Sequence, residues 1–465
     1  MTKRSVCIHA HFYQPSREDP LTGEIPLEMG ASPYDNWNDR IFADCYAPNA
    51  ALGNFQKISF NVGPTLTKWM RSKEPQTLAQ IVAADHENTL RYGVGNAMAQ
   101  PYHHTILPLA TRREKQIQVA WGTADFVHTF GRQPDGMWLP ETAVDLETLD
   151  VLAAQGIRFT VLAPWQAEGI IPDPFRPYLV STPGGYTIAV FFYDSGLSSE
   201  ISFDPSATSN ADGFVKRFVH PRFSKSDKPE MLMLASDGEL YGHHQAFREK
   251  FLARLLDTSL LDEGYEPSYP GRWLSQNEIH EVIAIKENTS WSCHHGVERW
   301  RGECGCTPGG SWKAPLRQAM NRVAEMIDGA FEEYAGPYFS NPWNAVEKYS
   351  QVMLEQTTAD DWLSDQSQKA LNLEEKLHLK SLFEAQLERQ RMFTSCGWFF
   401  EDFDRIEPKN NVTYAAHAVW LAERTSRQDL YSEAVRAFSD VKSPLTGRKA
   451  DDVFSAAYYR FSNRS

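Results

Sequence analysis

LMLASDGELYGHH (232–244) and GMWLPETAVD (136–145) share one pattern: a short apolar run suited to a buried strand, with a carboxylate placed directly after it. The first closes the run Met231 to Ala235 and leads into Asp237 and Glu239; in the second, Gly136 to Leu139 runs through Pro140 into Glu141. Two further apolar runs end in the same way. His9 and His11 close the run Val6 to Ala10, and Gln100, His103 and His104 follow Val94 to Ala99. In parallel α/β barrels the catalytic groups stand on loops at the C-terminal ends of strands, so residues remote in sequence converge on one mouth. Four clusters obeying that rule point to such a barrel.

Three more runs complete a set of seven expected strands: Ile58 to Val62, Phe159 to Leu162 and Ile188 to Tyr193. Helix-length segments lie between most of them, including Gln76 to Arg91, Arg112 to Phe130, Leu146 to Gln155 and Ala211 to Val219, and this alternation implies βα units around a parallel sheet. The stretch from Trp165 to Tyr186, rich in Pro and Gly, reads as a long loop. After about Pro315 the chain turns to amphipathic segments rich in Ala, Leu, Glu, Gln and Arg, the signature of a helical bundle. The expected division is therefore a catalytic barrel over 1–314 and a bundle over 315–465.

At 465 residues, 42% hydrophobic and 23% charged, the chain can bury a large core. A formal charge of -14 argues against nucleic acid, because phosphate binding rests on Lys and Arg displacing counterions. The opening residues MTKRSVCIHAHFYQP lack the apolar core of a signal peptide, and no apolar run approaches the length of a membrane span. Six cysteines, Cys7, Cys45, Cys293, Cys304, Cys306 and Cys396, are sparse for this length and lack disulfide-scaffold spacing. A cytoplasmic protein is expected, with no membrane partner and an open oligomeric state.

Each polar feature also has a structural reading. Glu141 suits a helix N-terminus, where the dipole favours an acid. Asp237 and Gly238 form a common turn dipeptide. Trp138, Trp291 and Trp300 serve a core as readily as a sugar platform, and His9 reads as a prop for the site. What raises the two carboxylates is their combination, since glycoside cleavage needs a pair flanking one bond.

The segment WSCHHGVERWRGECGC (291–306) fits neither the helical nor the strand period. Its Cys293, His294, His295, Cys304 and Cys306 invite a zinc reading, because thiolates and imidazoles are the usual ligands. Cys-x-Cys is not the common Cys-x2-Cys knuckle, however, and the interleaved Arg and Glu suit a hydrogen-bonded loop lining the cleft. The expectation is therefore no metal and no cofactor.

Five ordered stretches carry a family resemblance: HAHFYQP (9–15), HHTILP (103–108), WLPE (138–141), DGELYGHH (237–244) and TSCGWFF (394–400). Together they resemble glycoside hydrolase family 57, in its bacterial branch with a domain of unknown function behind the barrel. The resemblance implies an incomplete seven-stranded (β/α) barrel followed by a helical bundle. It also implies a retaining hydrolase of α-glucans or related α-linked oligosaccharides, with Glu141 as nucleophile and Asp237 as acid/base. His11, Gln14, His104, Trp138, Glu239, His243, Trp291, Trp300 and Trp398 are the implied substrate-binding residues. The same two carboxylates would serve an α-glucan transglycosylase, a 4-α-glucanotransferase or branching enzyme. Two other classes are weighed: a metal-dependent polysaccharide deacetylase, for which HAHFYQP supplies no early carboxylate, and an inactive glucan-binding protein, which has no reason to keep the pair.

Overall fold

The computed structural model describes residues 4–223, 228–426 and 428–463, which divide into two compact units. The first comprises residues up to Gln14, Pro26–Pro101 and Phe126–Trp291; the second comprises Pro15–Ile25, Tyr102–Asp125 and Ser292 onward. The change of unit after the last barrel segment thus falls at Trp291, ahead of the boundary at residue 314 drawn from composition. No helix among the described residues is long and apolar enough to cross a membrane.

The first unit is built on parallel strands. Strand β1 (Arg4–Phe12) lies at the centre, with β2 (Ser59–Val62) on one side and β7 (Glu230–Asp237) on the other, and β3 (Ala97–Met98) extends the sheet beyond β2. A second sheet holds β4 (Phe159–Leu162) parallel to β6 (Thr187–Phe192), with β5 (Tyr178–Ser181) antiparallel on its far edge. Residues 136–139 make the seam: Met137 bridges Ala99 and Gly136 bridges Phe159, both in parallel sense, and Trp138 N–H donates to Ala99 O at 2.8 Å. At the other side the Asp194 N–H donates to Met233 O at 2.7 Å, joining the end of β6 to β7. The result is an incomplete (β/α) barrel, and β8 (Glu266–Pro267) adds a short pairing to the start of β1.

Alternate residues of these strands fill the barrel, because successive side chains on a strand face opposite sides. Cys7, Met98, Val161, Phe191 and Met233 form one buried cluster with Trp138, Tyr193 and Trp273. All seven expected apolar runs fall in this wall, although 136–139 pairs only through isolated bridges. The Trp165 to Tyr186 loop holds the unexpected β5, an edge strand whose Leu179 is less buried than its partner Ala189 in β6.

In the second unit, helices Lys313–Ala335, Leu373–Arg391 and Ile406–Glu423 pack with Leu430–Phe438 and Ala450–Ser462. Their core carries an ionic network: Asp328 accepts from Arg389 Nε (3.0 Å) and Nη2 (2.9 Å) and from Gln386 (3.1 Å), while Arg389 also pairs with Glu114. Every charge there has a partner, which a buried ion requires.

Candidate active site

Register places the polar strand ends in layers. His9 stands opposite Ser59 and Ala235, and one layer further His11 stands opposite Asn61 and Asp237. The second layer closes the C-terminal end of the strands, where a barrel keeps its chemistry. His9 is fully buried, stacked on Trp138 with ring centres 4.4 Å apart and Nδ1 bonded to Ser59 Oγ at 3.0 Å. His11 meets Asn61 Oδ1 through Nδ1 at 3.1 Å, and Asn61 is oriented by donating to Gln100 Oε1 at 2.8 Å. An amide oxygen only accepts, so Nδ1 of His11 carries the proton and Nε2 is the acceptor nitrogen. Burial holds His11 neutral by lowering its pKa to about 4.

Asp237 ends β7, in register with His11, and its side chain is exposed to solvent. Its pKa is raised to about 7, first by desolvation and then by the charge of Glu141. Glu239, two residues on, is raised to about 8 by burial, opposed by the Tyr46 hydroxyl, which donates to Oε1 at 2.6 Å, and raised further by Asp237. The Tyr13 N–H also donates to Oε1 (3.2 Å), and Gln14 Nε2 donates to the Tyr46 oxygen (3.0 Å), so Oε2 is left to hold the Glu239 proton. Gly238 between them has a packing reason: a Cβ there would stand 2.3 Å from the Phe12 ring. His243 Nδ1 pairs with Asp44 Oδ2 at 3.1 Å on the same unit.

Glu141 sits on a strained turn. Its φ of 58° and ψ of 19° lie in the left-handed region, and Thr142 follows at φ 49°. Non-glycine residues pay roughly 1–3 kcal/mol for such geometry and hold it only where surroundings over-determine it, most often at functional sites. Gln166 supplies that constraint: its Oε1 accepts from Thr142 Oγ1 (2.9 Å) and Ala163 N (2.8 Å), and its Nε2 donates to Thr142 O (2.8 Å). Trp291 holds the other side, donating from N to Glu141 O (2.9 Å) and from Nε1 to Glu141 Oε2 (2.9 Å). Beside this carboxylate runs an aromatic row, with Trp138 edge-on to Trp291 at 5.1 Å, Trp291 to Tyr193 at 6.3 Å, and Tyr193 to Trp165 at 6.3 Å.

A family model described as glycosyl hydrolase family 57 matches residues 40–285. The chain belongs to glycosyl hydrolase family 57. A second model, a domain of unknown function, matches residues 310–457. The family 57 chain is 23% identical over 216 residues to Alpha-amylase 1 of Dictyoglomus thermophilum, covering 44% of this chain and 30% of that one. It is 22% identical over 189 residues to a 4-alpha-glucanotransferase of Thermococcus kodakarensis, covering 40% and 27%. These alignments thus take in less than a third of either relative's length. Among solved structures, an exo-type maltose-forming amylase from Pyrococcus sp. ST04 superposes with a TM-score of 0.75 at 16% identity, over 98% of this chain and 88% of that one, a likeness of fold.

The first unit gathers His11, Gln14, Trp138, Glu141, Asp237, Glu239, His243 and Trp291, while His104, Trp300 and Trp398 belong to the second. His104 there adopts φ 54° and bonds Ser395 Oγ through Nδ1 at 2.6 Å. Three of the tryptophans expected to bind substrate are fully buried. Trp138, Trp300 and Trp398 are each 0% exposed, so none has a face open to a ring. Trp138 lies beneath His9 and His11, and Trp398 lies under the Arg317 guanidinium at 3.8 Å. Trp300 packs towards Phe399, and its carbonyl accepts from Arg317 Nε at 3.1 Å and Nη2 at 2.9 Å. Trp300→Ala is therefore expected to cost about 3–5 kcal/mol of stability as a core truncation, read as a fall in Tm, with the kinetics of the surviving folded enzyme unchanged. Weakened substrate binding at unchanged Tm would return Trp300 to the cleft.

Residues not anticipated from sequence complete the first unit's site: Asn61, Tyr46, Gln166, Tyr193 and Trp165. The last is 39% exposed and donates from Nε1 to Ser290 O at 3.0 Å.

Proposed function

We propose that this family 57 chain is a retaining enzyme of α-glucans or related α-linked oligosaccharides, with Glu141 as nucleophile and Asp237 as acid/base. The observation that carries the reading is Asp237: a carboxyl at the C-terminal end of β7, level with His11, kept protonated towards neutral pH by desolvation and by the charge of Glu141. An environment that separates two carboxyls into an acid and an anion assigns their roles. In the first half-reaction the Glu141 carboxylate attacks the anomeric carbon, the bond to the leaving oxygen breaks, and Asp237 delivers its proton to that oxygen. In the second, the Asp237 carboxylate takes a proton from water or a sugar hydroxyl, whose oxygen attacks the same carbon and frees Glu141. Neutral His11 offers Nε2 to a sugar hydroxyl, and the accessible faces of Trp165 and Trp291 offer stacking surfaces.

The amylase and glucanotransferase names of the sequence relatives support an α-glucan substrate, and the glucanotransferase also supports a sugar acceptor as the second reading. Incubation with maltooligosaccharides, amylose and disaccharides, followed by product mapping, separates the two: new reducing ends mark water as acceptor, and longer or relinked chains mark a sugar. No turnover of any α-linked glucan would overturn both readings. Sparse cysteines without scaffold spacing support a cytoplasmic setting.

The pH dependence follows with its sign. Asp237 must carry its proton to start the reaction, and its pKa is raised to about 7. The expected result is that kcat/KM falls as pH rises through about 7. A profile flat from pH 6 to 9 would remove Asp237 from the acid role.

A further inference from the structure

Residues 292–312 open the last segment of the second unit with little regular structure: helix Glu298–Arg301 and the short turn Gly310–Trp312. Two tight turns organise the rest. The Gly296 N–H closes one onto Cys293 O at 3.1 Å, with Gly296 at a φ of 79°, and the Thr307 N–H closes the other onto Cys304 O at 2.9 Å. The first turn presents Cys293 and His295, the second Cys304 and Cys306.

Their donor atoms converge on one point. Cys293 Sγ lies 3.5 Å from Cys304 Sγ, His295 Nδ1 lies 3.1 Å from Cys304 Sγ and 3.5 Å from Cys306 Sγ, and all four atoms fall within 4.8 Å of one another. A tetrahedral zinc with bonds of about 2.3 Å to sulfur and 2.0–2.1 Å to nitrogen sets its ligands roughly 3.8 Å apart for sulfur pairs and 3.5 Å for sulfur and nitrogen. The three separations given above lie within about 0.4 Å of these values.

The surroundings suit the charge. The Cys306 N–H donates to Cys304 Sγ at 3.5 Å, as a backbone amide does to a metal-bound thiolate. Three thiolates and one imidazole around Zn²⁺ leave a net charge of about -1. The Lys313 ammonium, buried and without a hydrogen-bond partner among the described residues, lies within electrostatic reach of Cys304 and Cys293 and would balance that charge. The arginines and glutamates that favoured a cleft-lining loop do not organise the cluster: Arg301 pairs with Glu298 at 2.7 Å on the surface, and Arg299 lies over the Phe399 ring at 4.5 Å.

We propose that Cys293, His295, Cys304 and Cys306 form a closed, structural zinc site that fastens the beginning of the second unit's last segment. Three thiol protons leave to solvent as the ion binds, and with four protein ligands no position is open for chemistry. The site fixes the loop from which the buried Trp300 enters its core.

The test uses the full chain, purified without chelator and with reductant present. Elemental analysis should find about one zinc per chain, either as isolated or after incubation with zinc chloride. Replacement by Co²⁺ should give the intense visible bands of a tetrahedral ion and a near-ultraviolet thiolate-to-metal band. Cys304→Ser should lose both the zinc and the thiolate band. Should that buried change prevent folding, Cys306→Ser, at the partly exposed rim, should release its zinc to a chelator that leaves the parent chain loaded. Stripping zinc should lower Tm, and zinc should restore it where magnesium does not. Sub-stoichiometric metal after zinc incubation, undiminished zinc retention in both serine variants, or a Cys293–Cys304 disulfide in protein kept under reductant would overturn the site.

Discussion

Glu141→Gln is expected to lower turnover of maltooligosaccharides by on the order of 10⁴-fold or more while leaving Tm and ligand affinity close to those of the parent chain. The amide nearly matches the carboxylate in shape but cannot form the glycosyl ester. The turn that carries it is held by neighbours rather than by the acid: the Gln166 clasp acts on Thr142 and Ala163, and the Trp291 N–H acts on the backbone carbonyl. The indole Nε1 that donates to Glu141 Oε2 finds an oxygen acceptor on glutamine as well. A second consequence follows at Asp237. Removing the Glu141 charge deletes one of the two causes that raise its pKa, so the Asp237 titration should move towards the ordinary carboxylate range. Rates near those of the parent in this variant would remove Glu141 from the mechanism, whatever the fold.

The barrel was legible in the sequence because its wall is written in apolar runs whose ends change abruptly to acids and histidines. Buried parallel strands need side chains that pack on both faces, and Val6 to Ala10 and Met231 to Ala235 show this without ambiguity. β5 was hidden because an antiparallel edge strand needs fewer apolar residues, and the prolines and glycines around it carry a loop signature. The seam at 136–139 was legible as an apolar run, while its weak pairing was not, since pairing depends on neighbours far away in sequence. At the site, strand-end position marked Glu141, Asp237, Glu239 and His11. Tyr46, Asn61 and Gln166 left no such mark, because their roles consist of reaching a group that register and turns bring to them. Tryptophan was misjudged for a related reason: composition reveals an aromatic but not which of its faces is covered. The Cys and His cluster shows the same limit. Ligand spacing along the chain follows the turns, and only the turns make Cys-x-His and Cys-x-Cys converge.

Asp237→Asn separates the two chemical steps. With a natural glucan the leaving oxygen is a poor leaving group and needs a proton, so loss of the acid should cost about 10²–10⁴-fold in turnover. A glucoside with an activated phenolate needs no proton to depart, so Glu141 can still form the intermediate at close to the parent rate. The second step then limits: without a base, water or sugar enters slowly, and the glycosyl ester accumulates. The expected record is an early burst of phenolate followed by slow release, with mass spectrometry finding one added sugar on the peptide bearing Glu141. Azide, a nucleophile that needs no base, should restore the second step and yield a glycosyl azide of the same anomeric configuration as the substrate. The fall of kcat/KM through about pH 7 expected of the parent should vanish in the variant, because the group that titrates there is gone. Loss of activity on activated and natural substrates in equal proportion, with no burst and no response to azide, would mean that Asp237 shapes the cleft and transfers no proton. The burst and the flattened profile together would require a transferable proton on Asp237, since truncation of a merely structural carboxylate changes neither the identity of the slow step nor the pH at which it fails.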